Sequence, residues 1–270
     1  SIAFYCIGFG EAVMDLLPAV SYLSPQKIAM IAVICLFLLA WLGADFATKF
    51  QYIVMGLLVL ALVSFFVGGV MKWNSALAMQ NLAAPDKGLP FWVLFAIFFP
   101  AVTGFTQGVD MSGDLKDPTR SIPLGTFLAV GLSTIVYYLA AVVFAGAMPN
   151  SELLADYGAM KKVSMIPWLI DAGVIAATLS SAMASFLGSP RILQSITKDK
   201  IFKVLNPFSK GAGVSDNPRR GVLLACAIAF VTISLGQLNL IAQVVSMCFL
   251  ISYALINYAT FYESRTASPS

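Results

Sequence analysis

The sequence contains no histidine, and only 11% of its 270 residues are charged. Without histidine the commonest general base of enzymes is absent, and the four cysteines have no imidazole partner for nucleophilic catalysis. The cysteines lie within apolar runs and lack the spacing of a metal site, so neither redox chemistry nor a resident metal ion is expected. No Walker-type or dinucleotide-binding glycine loop occurs. An enzyme is therefore the least favoured class of function.

What the chain has in abundance is apolar sequence, with 59% hydrophobic residues and a mean hydropathy of +0.87. This composition is too apolar for a soluble domain and indicates a protein that crosses a membrane several times. Eight apolar runs approach the ~20 residues that a membrane-crossing helix requires. They cover residues 2–17, 28–44, 50–70, 91–112, 122–147, 166–188, 220–237 and 239–260.

The basic residues indicate how the chain is oriented in the membrane. If the first run points outward from the cytoplasm, eleven of the sixteen lysines and arginines lie in cytoplasmic connections, as the positive-inside rule favours. The longest polar piece, residues 190–218, is then a cytoplasmic loop that carries a helical turn. The first run lacks a charged leader and a cleavage site, so it does not resemble a signal peptide, and we expect an internal fragment.

The most informative segment is Ala96–Gly108, an apolar run that contains Pro100 and two glycines. Proline has no N–H, so the carbonyl near Ala96 loses its helical partner, and glycine lets the chain leave helical geometry. Unwound backbone at membrane depth is tolerated only inside protein or beside a wet cavity, and secondary transporters use such breaks to hold ions. The carbonyls up to Thr103 attract cations and the amides that follow attract anions. A simple structural kink is the alternative.

A second candidate site lies in the run 166–188, where Ala177, Ser180 and Ser181 fall on one helical face. A carbonyl and two hydroxyl oxygens suit a small cation such as Na⁺. The alternative is that these small residues only allow close helix packing, with the hydroxyls bonded back to their own helix.

Two tyrosines place phenols within apolar runs, where each hydroxyl needs a partner. These are Tyr5 and Tyr253. A phenol oxygen can accept toward a cation, and its O–H can donate to an anion. Phe249 lies one turn before Tyr253 and is a candidate gate, although ordinary packing is the simpler explanation.

Six segments match one known pattern in order along the chain. They are Phe98-Phe99-Pro100-Ala101-Val102-Thr103-Gly104, Ser112-Gly113-Asp114-Leu115-Lys116-Asp117-Pro118, Ser121-Ile122-Pro123-Leu124-Gly125-Thr126, Ala177-Thr178-Leu179-Ser180-Ser181-Ala182, Ser189-Pro190-Arg191-Ile192-Leu193-Gln194 and Ser252-Tyr253-Ala254-Leu255-Ile256-Asn257. Together they resemble the cation-chloride cotransporters, particularly the sodium-potassium-chloride type, of the amino acid-polyamine-organocation superfamily.

The resemblance implies an all-α membrane protein with an inverted-repeat fold of five plus five helices and a discontinuous sixth helix. On this basis residues 1–270 form one transmembrane domain fragment that holds the third to tenth core helices, with the first two missing. The missing first helix supplies much of each ion site in this family, so we do not expect the fragment alone to transport.

The resemblance also implies three ion sites. The implied potassium ligands are Tyr5, Pro100 and Thr103, the chloride ligands are Gly104, Phe105, Thr106 and Tyr253, and the sodium ligands are Ala177, Ser180 and Ser181. Phe105-Thr106 departs from the aliphatic pair common in the family, but backbone donors survive such a substitution. The presence of both serines is similar to sodium-coupled members rather than to the potassium-chloride branch.

These observations predict a secondary active transporter that moves Cl⁻ with Na⁺, K⁺ or both by alternating access, in the plasma membrane or a bacterial inner membrane. We expect no cofactor and no metal beyond the transported Na⁺, K⁺ and Cl⁻, with lipid and small ions as partners, no nucleic acid, and a homodimer as a possible assembly. One alternative is an amino acid permease of the same superfamily, because the anion pole can also hold a carboxylate. The other is a non-transporting membrane scaffold or receptor.

Overall fold

A computed structural model describes residues 1–17, 22–42, 45–83, 90–110, 112, 115–156, 158–200, 202–213, 216–236 and 238–266. Within these ranges the chain forms helices and turns with no β-strand, although an isolated bridge joins Ala212 to Asn217. The predicted all-α class is confirmed.

Twelve α-helices are present in the described ranges. They are α1 (Ile2–Leu16), α2 (Pro25–Leu42), α3 (Asp45–Met71), α4 (Ser75–Leu82), α5 (Phe91–Phe98), α6 (Gln107–Asp110), α7 (Pro118–Ala147), α8 (Asn150–Ala155), α9 (Ala159–Val163), α10 (Pro167–Lys198), α11 (Arg219–Leu235) and α12 (Leu238–Thr266). The described ranges also contain 3₁₀ turns at Phe99–Val102 and Lys203–Phe208.

In the described residues, seven of the eight predicted membrane runs fall on helices, and the run 91–112 is helical on both sides of a non-helical stretch; residues 43–44, 111 and 237 of these runs lie outside the described residues. Five described regions are long and apolar enough to cross a membrane: Gln51–Met71, Phe91–Val109, Pro118–Ala147, Pro167–Lys198 and Leu240–Thr266. The other three runs fall on shorter apolar helices, namely α1, α11 and the segment Pro25–Trp41 of α2. The protein is a multi-pass integral membrane protein, as predicted.

Two apolar clusters hold the helices together. In the first, α1, α2, α10 and α11 bury side chains such as Cys6, Val33, Phe186 and Ile233. The first two of these helices approach closely at Gly10, where a Cβ would lie 2.4 Å from the carbonyl oxygen at the start of α2. A side chain at this position would therefore separate α1 from α2.

The second cluster joins α3 to α7 and α9 through Phe65, Val143 and Val163. Ser64 precedes Phe65 of this cluster and is only 5% exposed. Its hydroxyl oxygen accepts a hydrogen bond from the Ile166 N–H at 2.8 Å. This bond satisfies the backbone where α10 begins. The second cluster therefore fixes the start of the helix that carries the candidate sodium ligands.

The connections between these helices are themselves structured. Asn81 in α4 donates to the carbonyls of Ala145 and Met148 at 2.9 Å each, which satisfies the end of α7. Near the start of α10, Asp171 forms an ion pair with Lys161 at 2.6 Å. This pairing gives the Asp171 carboxylate a structural partner in the first turns of α10.

Helix α10 extends further than the sequence pattern indicated. The predicted loop begins at 190, whereas the helix passes through Pro190 and ends at Lys198, so the connection to α11 starts at residue 199. Gln194 and Thr197 are buried on the added turns, with 7% and 1% exposure, which gives this helical extension a packed face.

Candidate functional site

The predicted break in the membrane helix is present. Helix α5 ends at Phe98, one 3₁₀ turn continues to Val102, and α6 begins at Gln107. Between them Thr103 is extended and Gly104 has a φ of +95°, a left-handed conformation that glycine adopts without steric penalty. The segment is therefore two helical pieces separated by non-helical residues, with a carbonyl end before the gap and an amide end after it. It is not one kinked helix.

The carbonyl end of the break is stabilised by side chains from two neighbouring helices. Because Pro100 has no N–H, the Ala96 carbonyl lacks its helical donor, and the Ser246 hydroxyl of α12 lies 3.3 Å from it. The Tyr137 hydroxyl of α7 donates to the Ala101 carbonyl at 2.6 Å. Backbone oxygens at membrane depth are destabilising when they lack donors, so these two contacts hold the unwound backbone in place.

The two candidate potassium ligands from the break, Pro100 and Thr103, bond to each other. The Thr103 hydroxyl donates to the Pro100 carbonyl at 2.7 Å, and the Thr103 N–H donates to the same oxygen at 3.3 Å. Since the hydroxyl proton points at Pro100, the lone pairs of the Thr103 oxygen remain available to a cation. The Pro100 oxygen, by contrast, already accepts two hydrogen bonds.

The amide end of the break meets α12 at Tyr253. The Gly104 N–H donates to the Tyr253 phenol oxygen at 3.2 Å. The N–H groups of Phe105 and Thr106 have no acceptor within the described residues. Because the phenol oxygen accepts from Gly104, its own proton can point toward an anion, together with the two adjacent amides.

Aromatic rings surround this amide end. Phe105 and Phe249 pack on the Tyr253 ring, with centroid distances of 4.9 and 5.6 Å, and Phe99 lies edge-on at 6.4 Å. These apolar rings reduce the polarity around the donors, and a lower local dielectric strengthens their attraction for an anion. The structure thus places the candidate gate Phe249 directly against the candidate chloride ligand Tyr253.

Tyr5 lies on α1, which contacts α12 as well as α10. Its ring packs edge-on against Phe4 at 5.6 Å. The Tyr5 hydroxyl has no hydrogen-bond partner within the described residues, so its oxygen is available as a ligand. The phenols of Tyr137 and Tyr253 thus contact the break directly, whereas no hydrogen bond joins Tyr5 to it within the described residues.

The candidate sodium residues differ from most other hydroxyl residues of α10, although the exposed Ser195 also makes no side-chain hydrogen bond within the described residues. The hydroxyls of Thr178, Ser185, Ser189 and Thr197 each donate to a carbonyl of their own helix. Those of Ser180 and Ser181, half-buried on the same helix, make no hydrogen bond within the described part of the chain. The alternative of back-bonded serines, weighed from the sequence, thus describes their neighbours but not these two. Ala177 is likewise half-buried.

The two parts of the candidate site, the break and the hydroxyl pair Ser180 and Ser181 on α10, are connected indirectly. In the described ranges no hydrogen bond links Ser180 or Ser181 to the break or to either tyrosine. Instead Gln107, the first residue of α6, donates to the Ala184 carbonyl of α10 at 3.2 Å. Helix α1 also lies beside α10, where a Cβ on Gly8 would be 3.6 Å from the Thr178 methyl group.

Sequence reasoning missed Ser246, Tyr137 and Gln107, which contact the break from other helices or bridge to them. The only signal for each is a polar side chain within an apolar run, which does not identify its partner.

The ligand chemistry itself consists of neutral oxygens and amides, and no group of three His, Cys, Asp or Glu side chains that could hold a metal ion occurs among the described residues. Neutral hard oxygens suit alkali cations rather than transition metals.

Known proteins are similar to this chain along its whole length. A family model described as amino acid permease matches residues 1–269. Solute carrier family 12 member 1 of Mus musculus is 33% identical over 325 residues, covering 100% of this chain and 30% of the relative. Member 2 of Squalus acanthias is 34% identical over 326 residues, covering 100% and 27%. The human member 1 is 32% identical over 325 residues, again covering 100% and 30%. The chain therefore spans less than a third of the length of these relatives.

Proposed function

Because the chain belongs to the amino acid permease family and is similar along its whole length to solute carrier family 12 members, we propose that the intact protein is a secondary active transporter. In this proposal it carries Cl⁻ together with Na⁺, K⁺ or both by alternating access, in the manner of a cation-chloride cotransporter. Transport rather than catalysis fits a permease family. Neutral coupling of cations to chloride would avoid work against the membrane potential.

The observation that carries the proposal is the break between Val102 and Gln107, whose ends have opposite polarity. Chloride would bind the N–H groups of Phe105 and Thr106 and the Tyr253 hydroxyl. The Gly104 N–H contributes by holding the phenol oxygen at 3.2 Å and by adding its own partial positive charge.

The proposed cation sites use the oxygens that remain available near the break and on α10. Potassium would bind the hydroxyls of Tyr5 and Thr103 and the Pro100 carbonyl, which would give up one of the two hydrogen bonds that it accepts from Thr103 in this structure. The unpaired lone pairs of the two hydroxyls support this assignment.

Sodium would bind the Ala177 carbonyl and the hydroxyls of Ser180 and Ser181, which have no internal partner within the described residues. Chloride near a bound cation is stabilised by direct attraction, and this attraction couples their transport. The ions are substrates of the transporter and not cofactors.

The family fold places these sites within two inverted five-helix repeats. We propose that residues 1–270 supply the third to tenth core helices of such a fold, with α5 and α6 as the discontinuous sixth and residues 199–218 as the cytoplasmic connection. A homodimer stays a prediction, and Phe249 stays a candidate gate beside Tyr253.

Chloride-dependent uptake of radiolabelled sodium tests the proposal in the intact protein. In Tyr253→Phe, loss of a hydrogen bond to an ion should raise the chloride concentration for half-maximal uptake by about tenfold or more. Tyr258→Phe is the matched control, because Tyr258 lies on the same helix, is 66% exposed and stacks its ring on Tyr262 at 6.4 Å. Unchanged chloride dependence in Tyr253→Phe would remove the chloride site.

Potassium coupling is tested separately with Tyr5→Phe. If potassium dependence persists at full strength in that variant, the potassium assignment is withdrawn while the chloride and sodium assignments stand. This separation matters because the Tyr5 hydroxyl contributes to no other proposed site.

An amino acid permease is the second candidate, favoured by the description of the matching family and by the amide end of the break, which suits a carboxylate as well as chloride. Uptake of radiolabelled amino acids, measured beside chloride uptake, separates the two. If neither substrate is transported and neither ion stabilises the intact protein against heat, a scaffold or receptor role is favoured instead.

A further inference from the structure

Gln107 forms a side-chain link between the two parts of the candidate site. It is the first residue of the inner half-helix α6, is half-buried, and places its amide nitrogen 3.2 Å from the Ala184 carbonyl oxygen in α10. A carbonyl can only accept, so the donor must be the NH₂ group, which fixes the orientation of the amide. No other side chain of α6 that the structure describes donates a hydrogen bond to α10.

On the α6 side, this link lies immediately beside the proposed chloride donors. Gln107 follows Thr106 in the chain, and its own N–H donates to the Gly104 carbonyl at 3.1 Å. The turn that presents the amides of Phe105 and Thr106 is therefore closed by the same residue that reaches α10. A shift of this turn would move the Gln107 side chain with it.

On the α10 side, the accepting carbonyl lies on the face that carries the proposed sodium ligands. Ala184 follows Ala177 by seven residues and Ser181 by three, so the three residues lie along one stripe of the helix. A helical carbonyl already accepts from the residue four positions ahead, and the Gln107 amide uses its second lone pair. The contact therefore leaves α10 continuous.

We propose that Gln107 is a positioning residue that couples chloride at the break to sodium on α10. The inference rests on the proposed function. Chloride binding orders the turn at Phe105 and Thr106, the ordered turn fixes Gln107, and Gln107 holds the α10 face on which Ser180 and Ser181 lie. By linkage, sodium must then increase the affinity for chloride by the same factor.

The test is a comparison of coupling factors in the intact protein. Apparent sodium affinity is measured from sodium-dependent thermal stabilisation, with and without saturating chloride, and the ratio of the two dissociation constants gives the coupling factor. Gln107→Met keeps the length of the side chain but removes the donor. We expect the coupling factor to fall about fivefold, as expected for one net hydrogen bond.

The matched control is Gln80→Met, which makes the same replacement at an exposed position of α4. It should leave the coupling factor unchanged. If Gln107 has a purely structural role, Gln107→Met should instead lower the melting temperature measured without ions. It should also weaken the binding of both ions equally and leave the coupling factor unchanged. If Gln107→Met does not fold, Gln107→Asn provides the comparison, because it keeps the amide but is too short to reach Ala184.

The outcomes separate this inference from the proposed function. If the wild-type protein shows mutual stabilisation by sodium and chloride and Gln107→Met retains the full coupling factor, the role of Gln107 is refuted while the transporter stands. If the wild-type protein binds the two ions independently, the coupling role of Gln107 is likewise refuted. If neither ion stabilises the wild-type protein and Tyr253→Phe leaves chloride dependence unchanged, the proposed function itself fails.

Discussion

The hydroxyl of Ser246 lies 3.3 Å from the carbonyl oxygen of Ala96, the oxygen that Pro100 deprives of its helical donor. Ser246 is only 3% exposed, and its hydroxyl is also 2.9 Å from the Ala242 carbonyl of its own helix. One hydroxyl proton is thus shared between two acceptors. If α5 moves away from α12, the proton still has the Ala242 carbonyl, so separation of the two helices does not leave a buried hydroxyl without a partner.

Ser246→Ala is therefore expected to destabilise the break. The substitution leaves the half-buried Ala96 carbonyl without a donor, which we expect to cost about 0.5–1.5 kcal/mol in the free energy of unfolding, the net value of one hydrogen bond. The measurement is thermal or denaturant unfolding of the intact protein in the absence of transported ions.

Ser252→Ala is the control for that experiment. Ser252 is exposed on the same helix, and its hydroxyl donates only to the Cys248 carbonyl of its own backbone at 2.9 Å. We expect a change within about 0.5 kcal/mol there. Equal effects of the two substitutions would show that Ser246 does not stabilise the break.

The sequence was sufficient to predict the break itself but not the contacts that hold it. Pro100 and Gly104 act locally, one by removing a donor and the other by adopting φ of +95°, and local effects are readable from neighbouring residues. Ser246 lies 150 residues from Ala96 along the chain, and Tyr137 lies 36 residues from Ala101. Such pairs form only when the tertiary packing brings distant helices together.

At Pro190 the local sequence pattern predicts the wrong end for a helix. A proline within a polar segment favours a helix end, yet α10 continues for eight residues beyond it. Gly221 of α11 lies against the proline ring, where a Cβ would be 2.8 Å from the Pro190 Cβ. Close packing with another helix thus stabilises an extension that the local pattern opposes.

Tyr137→Phe is expected to weaken cation binding with little loss of packing. The variant keeps the edge-on ring contact with Phe98, at 5.5 Å, but removes the hydroxyl that donates to the Ala101 carbonyl. The backbone beside Pro100 is then less fixed, and we expect the potassium concentration for half-maximal uptake to rise about threefold or more.

The neighbouring substitution Tyr138→Phe provides the control, because Tyr138 is 73% exposed and makes no hydrogen bond within the described residues. Potassium-dependent uptake by the intact protein is measured for both variants. A similar small effect in both would indicate that the Tyr137 hydroxyl does not support the cation site.

The double substitution Ser180→Ala with Ser181→Ala is expected to abolish sodium dependence of chloride uptake. Both hydroxyls lack an internal partner in the described part of the chain, so their removal should change the ion site more than the helix. Thr178→Val serves as the control, because the Thr178 hydroxyl already donates to the Val174 carbonyl at 2.8 Å. Sodium dependence that survives in the double variant would remove the proposed sodium site.

Asp216 makes the structural ordering of the connection between α10 and α11 dependent on pH. Its carboxylate accepts from Lys198, from the backbone of Gly211 at 3.0 Å and from Gln194 at 3.2 Å. The hydrogen bond from Lys198 is the main cause that lowers the pKa of Asp216 below its ordinary value of 3.8. The stabilisation is therefore complete well above pH 3.8 and is lost as the pH falls through the lowered pKa.

Asp216→Asn should mimic this loss at neutral pH, because it removes the charge that pairs with Lys198. We expect faster amide hydrogen exchange at residues 202–213 in the variant than in the wild-type protein at pH 7, measured by mass spectrometry on the intact protein. Comparing the two proteins at one pH cancels the intrinsic pH dependence of exchange. Below the lowered pKa of Asp216, the difference in exchange rate between the variant and the wild-type protein should shrink, because the wild-type carboxyl is then also neutral. Asp199→Asn, an exposed change outside this network, should match the wild-type protein at both pH values. A difference between Asp216→Asn and wild type that persisted unchanged at acidic pH would show that the carboxylate charge does not order the connection.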